Sequence, residues 1–223
     1  MTESPADRAV LDAQRQHWSR AFDERPDRFG ADASRPVRDA VALFNVEGVR
    51  DVLELGAGQG RDTRALAREG FRVVALDYAD SAVAALREAV AGLGDAVTVS
   101  QHDVRRPLPF EEDSFDACYS HMLFCMALTT AELEALAAEV RRVLRPGGLV
   151  VYTARTTEDA HYGAGIARGD DMYEMGGFIV HYFGAALVER LAAGYEVLGV
   201  GRFEEGELPR RLVRVTMRRP AAP

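Results

Sequence analysis

Three glycines at alternate positions, Gly56, Gly58 and Gly60, follow an apolar run and an acid, Glu54, in "DVLELGAGQGRD". Alternate glycines let the backbone turn sharply off a strand and admit a ligand where a Cβ would stand. A helix opening at Arg61 and Asp62 presents free N–H groups and the positive end of its dipole to that ligand. Turns of this kind hold phosphorylated or nucleoside-like molecules. Two further acids follow apolar runs, Asp77 in "VVALD" and Asp103 in "AVTVSQHD". His121 follows Ser120 at the end of "FDACYS", and an imidazole is suited to base work near neutral pH. A last cluster lies after Arg155, with His161, Tyr162, Asp170, Asp171, Tyr173, Glu174, His181 and Tyr182 among glycines.

These residues need a scaffold, and the pattern supplies one. From Arg50 short apolar strands alternate with longer amphipathic stretches: "VLEL", "RDTRALAREG", "RVVALD", "DSAVAALREAVAGLG", "AVTVSQHD", "SFDACYS", "TTAELEALAAEVRRVL" and "RPGGLVVYTAR". Strand–helix alternation of this kind implies an α/β fold, with parallel pairing and helices on both faces of the sheet. Ligands in such sheets bind beyond the carboxyl ends of the strands, where the strand order reverses. The glycine turn, Asp77, Asp103 and His121 all follow strands.

Residues 1–47 read as a helical cap. In "DRAVLDAQRQHWSRAF" the apolar positions Val10, Leu11, Trp18, Ala21 and Phe22 keep a helical repeat, with Gln14 the one polar break. "RPVRDAVALFNV" offers a second amphipathic helix. Residues 48–154 form the ligand-binding core. Residues 155–183 read as an irregular insertion, too long for a routine connection. A helix and two strands over residues 184–219 complete a single domain spanning 1–223.

Composition narrows the function classes. An apolar fraction of 48% and a charged fraction of 28% are those of a globular chain. The net charge of −8 opposes a nucleic-acid footprint. There is no apolar run long enough to span a membrane, and the polar N-terminus carries no apolar signal core, so a cytoplasmic protein is expected. Cys118 and Cys125 lie in apolar surroundings and read as reduced thiols. Ligand spacing around His161, His181, Asp170 and Glu174 supports no metal site.

The glycine pattern also discriminates between ligands. A dinucleotide fingerprint, G-x-G-x-x-G/A, wants a small sixth residue, and Arg61 stands there. The run "VLELGAGQGRDT" resembles instead the first motif of class I S-adenosylmethionine-dependent methyltransferases. "VVALD", "SQHDV", "FDACYSHMLF" and "VLRPGGLVVY" resemble later motifs of that family, in the right order and spacing. The resemblance implies a Rossmann-like, seven-stranded, mostly parallel sheet. It also implies S-adenosylmethionine as cofactor, held by Glu54, Gly56, Ala57, Gly58, Asp77, Tyr78, Asp103, Val104 and Ser120. In that family Asp77 would accept from the ribose hydroxyls, and Asp103 with Val104 would meet the adenine. Arg61 and Asp62, with "FDERPDRFG" upstream, resemble more narrowly the small-molecule methyltransferases of the tellurite-resistance and thiopurine kind. There the N-terminal segment folds over the cofactor, which would bring Trp18, Phe22 and Phe29 to it; otherwise these aromatics fill the core under a terminal helix.

Methyl transfer from a sulfonium needs alignment and exclusion of water more than it needs a base. His121 is the candidate base for a hydroxyl or ammonium acceptor; its other reading is a ring that packs or bonds the cofactor's carboxylate end. His161, Tyr162, Tyr173 and His181 are candidate substrate contacts on a glycine-hinged lid, or else part of a solvated surface excursion. The expected activity is methylation of a small molecule. A nicotinamide-dependent reductase and a non-catalytic S-adenosylmethionine-binding module are the alternatives.

Overall fold

The computed structural model describes residues 5–26, 28–206 and 210–221. The chain opens with two helices, α1 (Pro5–Glu24) and α2 (Arg35–Val46). Strand and helix then alternate through β1 (Asp51–Leu55), α3 (Arg61–Arg68), β2 (Arg72–Asp77), α4 (Asp80–Val90), β3 (Val97–Gln101), β4 (Phe115–His121), α5 (Thr130–Val143) and β5 (Leu144–Arg155). Three short strands follow, β6 (Ile166–Gly169), β7 (Met172–Met175) and β8 (Phe178–His181). Helix α6 (Ala185–Leu191) and strands β9 (Glu196–Glu205) and β10 (Arg210–Arg218) end the described order.

The main sheet has seven strands in the order β3-β2-β1-β4-β5-β10-β9. Strands β1 to β5 pair in parallel, and β10 runs antiparallel to both β5 and β9. The order reverses between β1 and β4, so the glycine turn after β1 and His121 at the end of β4 flank the switch point. This is the α/β sheet expected from the strand–helix alternation.

Period-two alternation in β1 decides which face each side chain serves. Leu53 and Leu55 pack under α5 and α6 with Leu133, Leu136, Val140 and Leu191. Val52 points the other way, into a cluster with Val37 and Phe44 of α2, Leu66 of α3 and Leu86 of α4. Glu54 shares the Val52 face, which brings its carboxylate against α3.

Local signals set the helix ends. Ser34 caps α2 by accepting from the Val37 N–H at 3.2 Å, and Thr129 and Glu132 form a reciprocal capping box on α5. Thr129→Ala should lower stability by about 1 kcal/mol, read as a lower urea midpoint at unchanged slope. Helix α4 stops at Val90, short of the stretch "DSAVAALREAVAGLG" expected to form it; residues Ala91–Ala96 continue as a 3-10 turn broken at Gly94, where φ is +54°.

The insertion is ordered rather than irregular. Strands β6, β7 and β8 form a three-stranded antiparallel meander. Its two connections are two residues long, with φ of 50° and 56° at Asp170 and Asp171 and of 58° and 83° at Gly176 and Gly177. Positive φ at both central residues matches the right-handed twist of a tight hairpin. Gly176 and Gly177, expected as a hinge, therefore close the second of these turns, and Asp170 and Asp171 close the first. Gln14, the polar break in α1, clasps this sheet: its Nε2 donates to the Gly177 carbonyl at 2.9 Å, and its Oε1 accepts from the Ile179 N–H at 3.3 Å.

Candidate functional site

The turn after β1 is anchored on β2. The Gly56 and Ala57 N–H groups both donate to the Leu76 carbonyl, at 2.8 and 3.0 Å. Gly56 and Gly60 have φ of +72° and +83°, and a Cβ on them would stand 2.8 Å from Leu123 Cβ and 2.5 Å from Leu86 Cδ1. Both constraints demand glycine. Helix α3 begins at Gly60 with no side-chain cap, which leaves its first N–H groups free at the cradle.

Asp77, at the end of β2, holds the turn from the other side. Its oxygens accept from the Gly58 N–H at 2.8 Å and the Ala79 N–H at 2.9 Å. Burial pushes its carboxyl upward, and these N–H bonds oppose that. Glu54 is also buried and accepts from Thr63 Oγ1 at 2.6 Å. Burial and the neighbouring Asp62 charge push Glu54 up to about 8.

A cavity of about 520 Å³ extends from this turn, within the usual range of small-molecule sites. Glu54, Asp62, Asp77, His121, Glu205 and Arg210 are among the polar residues that line it. Trp18 and Phe22 of α1, Phe29, and Phe178 of β8 form an aromatic wall, with the Trp18–Phe178 centroids 4.7 Å apart. The Arg28 guanidinium stacks 4.9 Å from the Phe178 ring. The small sheet thus walls the cavity, and α1 holds that sheet in place.

The tip of β4 carries a chain of polar contacts. Parallel register pairs His121 with Thr153 of β5, and His121 Nδ1 lies 2.8 Å from Thr153 Oγ1. Its Nε2 lies 3.3 Å from Glu205 Oε2. The His121 contact holds the Glu205 carboxyl below its usual range, against the effect of burial. Met122 follows with φ of +71°, strained for a non-glycine residue; its N–H is tied to Thr153 Oγ1 at 3.0 Å.

Of the cofactor residues expected from the sequence, Trp18, Glu54, Gly56, Ala57, Gly58, Arg61, Asp62, Asp77 and Tyr78 line the large cavity. Arg61 donates to the Phe29 carbonyl at 2.8 Å and stacks on its ring. Asp62 serves as a latch as well, accepting from the Ser34 N–H, Ser34 Oγ and Tyr119 Oη at 2.8, 2.7 and 3.0 Å. Asp103 and Val104 border a side cavity of about 40 Å³ beside Asp77 and Tyr78. The Asp103 carboxylate is clasped by Arg105, with Nη2 at 2.6 Å, and Arg105 also reaches Asp12 of α1. Ser120 lies outside both cavities, buried and donating to the Leu55 carbonyl at 3.1 Å.

The expected substrate contacts divide. Tyr173 lines the cavity. His181 is buried with its Nδ1 2.7 Å from the Leu128 carbonyl, and burial lowers its pKa. His161 sits against Arg155 and Asp159, and the Tyr162 hydroxyl donates to Asp171 at 2.7 Å on the outer side. These three belong to the frame of the insertion, not to the lining. Glu205, Thr153 and Phe178 went unrecognised in the sequence; the one available signal was the acid pair before Gly206 in "GRFEEG". Among the described residues no group of three or more His, Cys, Asp or Glu side chains is disposed to hold a metal ion, and no helix is long and apolar enough to cross a membrane.

Comparison with known proteins follows the same lines. Residues 52–148 match the family model described as "Methyltransferase domain". The chain is 39% identical over 111 residues to phosphoethanolamine N-methyltransferase 1 of Triticum aestivum, covering 49% of this chain and 22% of that protein. It is 35% identical over 132 residues to demethylmenaquinone methyltransferase of Clavibacter sepedonicus, covering 59% of this chain and 50% of that one. The chain therefore spans half or less of the length of these two curated relatives. Among solved structures, 1,6-didemethyltoxoflavin-N1-methyltransferase of Burkholderia thailandensis, with its ligand and S-adenosylhomocysteine bound, superposes with a TM-score of 0.76 at 18% identity, over 99% of this chain and 92% of that one. TehB of Haemophilus influenzae shares the fold with a TM-score of 0.63 at 18% identity, over 82% of this chain and 62% of that one.

Proposed function

We propose that this chain, which carries a class I S-adenosylmethionine-dependent methyltransferase domain, transfers a methyl group from that cofactor to a small-molecule acceptor by in-line displacement. The observation that carries the reading is one continuous cavity joining the glycine turn and Asp77 to His121 at the tip of β4. The acceptors named for the relatives, phosphoethanolamine and demethylmenaquinone, support a small molecule over a macromolecule. The net charge of −8 supports the same choice.

The residues present fit the cofactor. Gly56, Ala57 and Gly58 line the cavity, and the two glycines hold the positive φ that bends the turn around it. Each Asp77 oxygen already takes one backbone N–H and keeps acceptor capacity for a ribose hydroxyl. Arg61 offers a positive charge to a carboxylate, Glu54 once ionised a negative one to an ammonium, and Tyr78, Asp103 and Val104 would bound the adenine. When bound, the cofactor supplies an electrophilic methyl on a sulfonium. The chain's own part is to orient the acceptor and keep water out, through Trp18, Tyr173 and Phe178. We read residues 1–47 as a cap over this site and residues 155–183 as its acceptor wall.

Glu54 makes binding pH-dependent. With its carboxyl at about 8 in the free protein, it is mostly protonated near neutral pH. An ammonium bound beside it favours the ionised form, so binding S-adenosylhomocysteine at neutral pH should release a proton. Affinity then rises as pH climbs toward about 8 and levels off above it. Calorimetry in buffers of different ionisation enthalpy measures the proton directly; an enthalpy independent of buffer would remove Glu54 from the ammonium.

Transfer itself is tested with methyl-labelled S-adenosylmethionine and pooled small hydroxyl, amide, amine and thiol compounds. Label should appear in at least one pool together with S-adenosylhomocysteine. Cofactor binding with no transfer to any pool would leave a binding module in place of an enzyme.

A further inference from the structure

The pocket-facing end of the His121 chain is a carboxylate, and its geometry favours that carboxylate over the imidazole as proton acceptor. Thr153 is fully buried. Its Oγ1 accepts from the Met122 N–H at 3.0 Å and lies 2.8 Å from His121 Nδ1. A buried hydroxyl proton requires an acceptor, and among the described residues His121 Nδ1 is the one within reach. Nδ1 then carries the ring's lone pair, so the neutral ring holds its proton on Nε2. That N–H faces Glu205 Oε2 at 3.3 Å. In this tautomer neither ring nitrogen has a lone pair left for a substrate.

Glu205 differs. Its side chain, at the end of β9, is 26% exposed and lines the cavity. His121 of β4 takes one oxygen, and Arg61 of α3 stands 4.0 Å from the other. The positive charge of Arg210 on β10 adds to these. An ionised carboxylate has about four lone-pair sites, so acceptor capacity remains toward the cavity.

Resting on the methyltransferase reading, we propose that Glu205 is the residue that takes the proton from the methyl acceptor, and that His121 is a positioning residue fixed between Thr153 and Glu205. The acceptor class follows from the chemistry of a carboxylate. Such a weak base removes a proton that has become strongly acidic as the new bond to carbon forms. That describes a hydroxyl or an amide-type N–H, and not an aliphatic amine or a thiolate. The nucleophile's lone pair forms the bond to the methyl carbon while the carbon–sulfur pair returns to sulfur. The proton of the O–H or N–H passes to Glu205 and leaves to solvent after product release.

Nitrogen-15 spectra of histidine-labelled protein in mildly alkaline buffer read the tautomer without any acceptor. His121 should show a protonated Nε2 and an unprotonated, hydrogen-bonded Nδ1, and Thr153→Val should erase that preference. Carbon-13 spectra should show the Glu205 carboxyl titrating at higher pH in His121→Asn. An unprotonated Nε2, or a Glu205 titration indifferent to His121→Asn, overturns the proposal. With any hydroxyl or amide substrate drawn from the pools, Glu205→Gln should lower kcat by about 10²-fold or more, with KM for S-adenosylmethionine little changed. Wild-type turnover by Glu205→Gln overturns it equally. Calorimetry with S-adenosylhomocysteine on the same wild-type preparation separates the two levels: absent binding removes the methyltransferase reading, whereas binding with the opposite tautomer removes this assignment alone.

Discussion

Asp77→Ala should weaken S-adenosylhomocysteine binding by about 100-fold, close to 3 kcal/mol, as two charge-assisted hydrogen bonds to a ribose would be lost. The carboxylate has a second duty that sharpens the test. It accepts from the Gly58 and Ala79 N–H groups at 2.8 and 2.9 Å, so its removal also loosens the turn. Asp77→Asn separates the two duties, because the amide oxygen can still receive one N–H while the charge is gone. Both variants should lose affinity, alanine more than asparagine, with the sheet intact by circular dichroism. Unchanged affinity in Asp77→Ala would refute the assignment to the ribose.

Asp62→Ala should destabilise the fold by about 3 kcal/mol, the typical penalty for stripping a buried carboxylate from its donors. Asp62 is 4% exposed and receives the Ser34 N–H, the Ser34 hydroxyl and the Tyr119 hydroxyl. Those donors join α3, the start of α2 and the middle of β4. Removing the acceptor leaves three buried donors without it, and Ser34 also caps α2. The loss should appear as a lower midpoint in urea, with a smaller loss for Asp62→Asn, which keeps part of the acceptor capacity. A variant as stable as the wild type would return Asp62 to a purely ligand-binding role.

Asp62 also illustrates what a sequence can and cannot reveal. The strand–helix alternation from Arg50 to Arg155 was legible because each element carries its own period and its own punctuation. The glycine turn and Asp77 were legible because backbone conformation and strand ends restrict residue type. Asp62 was legible as an important acid, but its latch depends on Ser34 and Tyr119, which lie 28 and 57 residues away. Glu205 was missed for the same reason: it comes to His121 through the antiparallel return of β9, a contact that no local pattern encodes. The insertion erred differently. Its signals were present, two-residue turns at Asp170-Asp171 and Gly176-Gly177 between short alternating runs, but the density of glycine and acid suggested irregular chain. His161, Tyr162 and His181 were selected by residue type alone, and type does not determine which side of a three-stranded sheet a ring occupies.

Gln14 is a comparable case. A lone polar residue on the apolar stripe of α1 read as an imperfection, yet it is 4% exposed and adds two hydrogen bonds to the packing of Leu11, His17 and Trp18 against the small sheet.

Every role proposed for these residues depends on the cavity beyond β1 and β2 binding the sulfonium cofactor. Titration calorimetry of the intact chain with S-adenosylhomocysteine tests it most directly. One molecule should bind per chain, saturably, with proton release at neutral pH and with an affinity about 100-fold lower in Asp77→Ala. No heat of binding from the folded wild-type protein would contradict it.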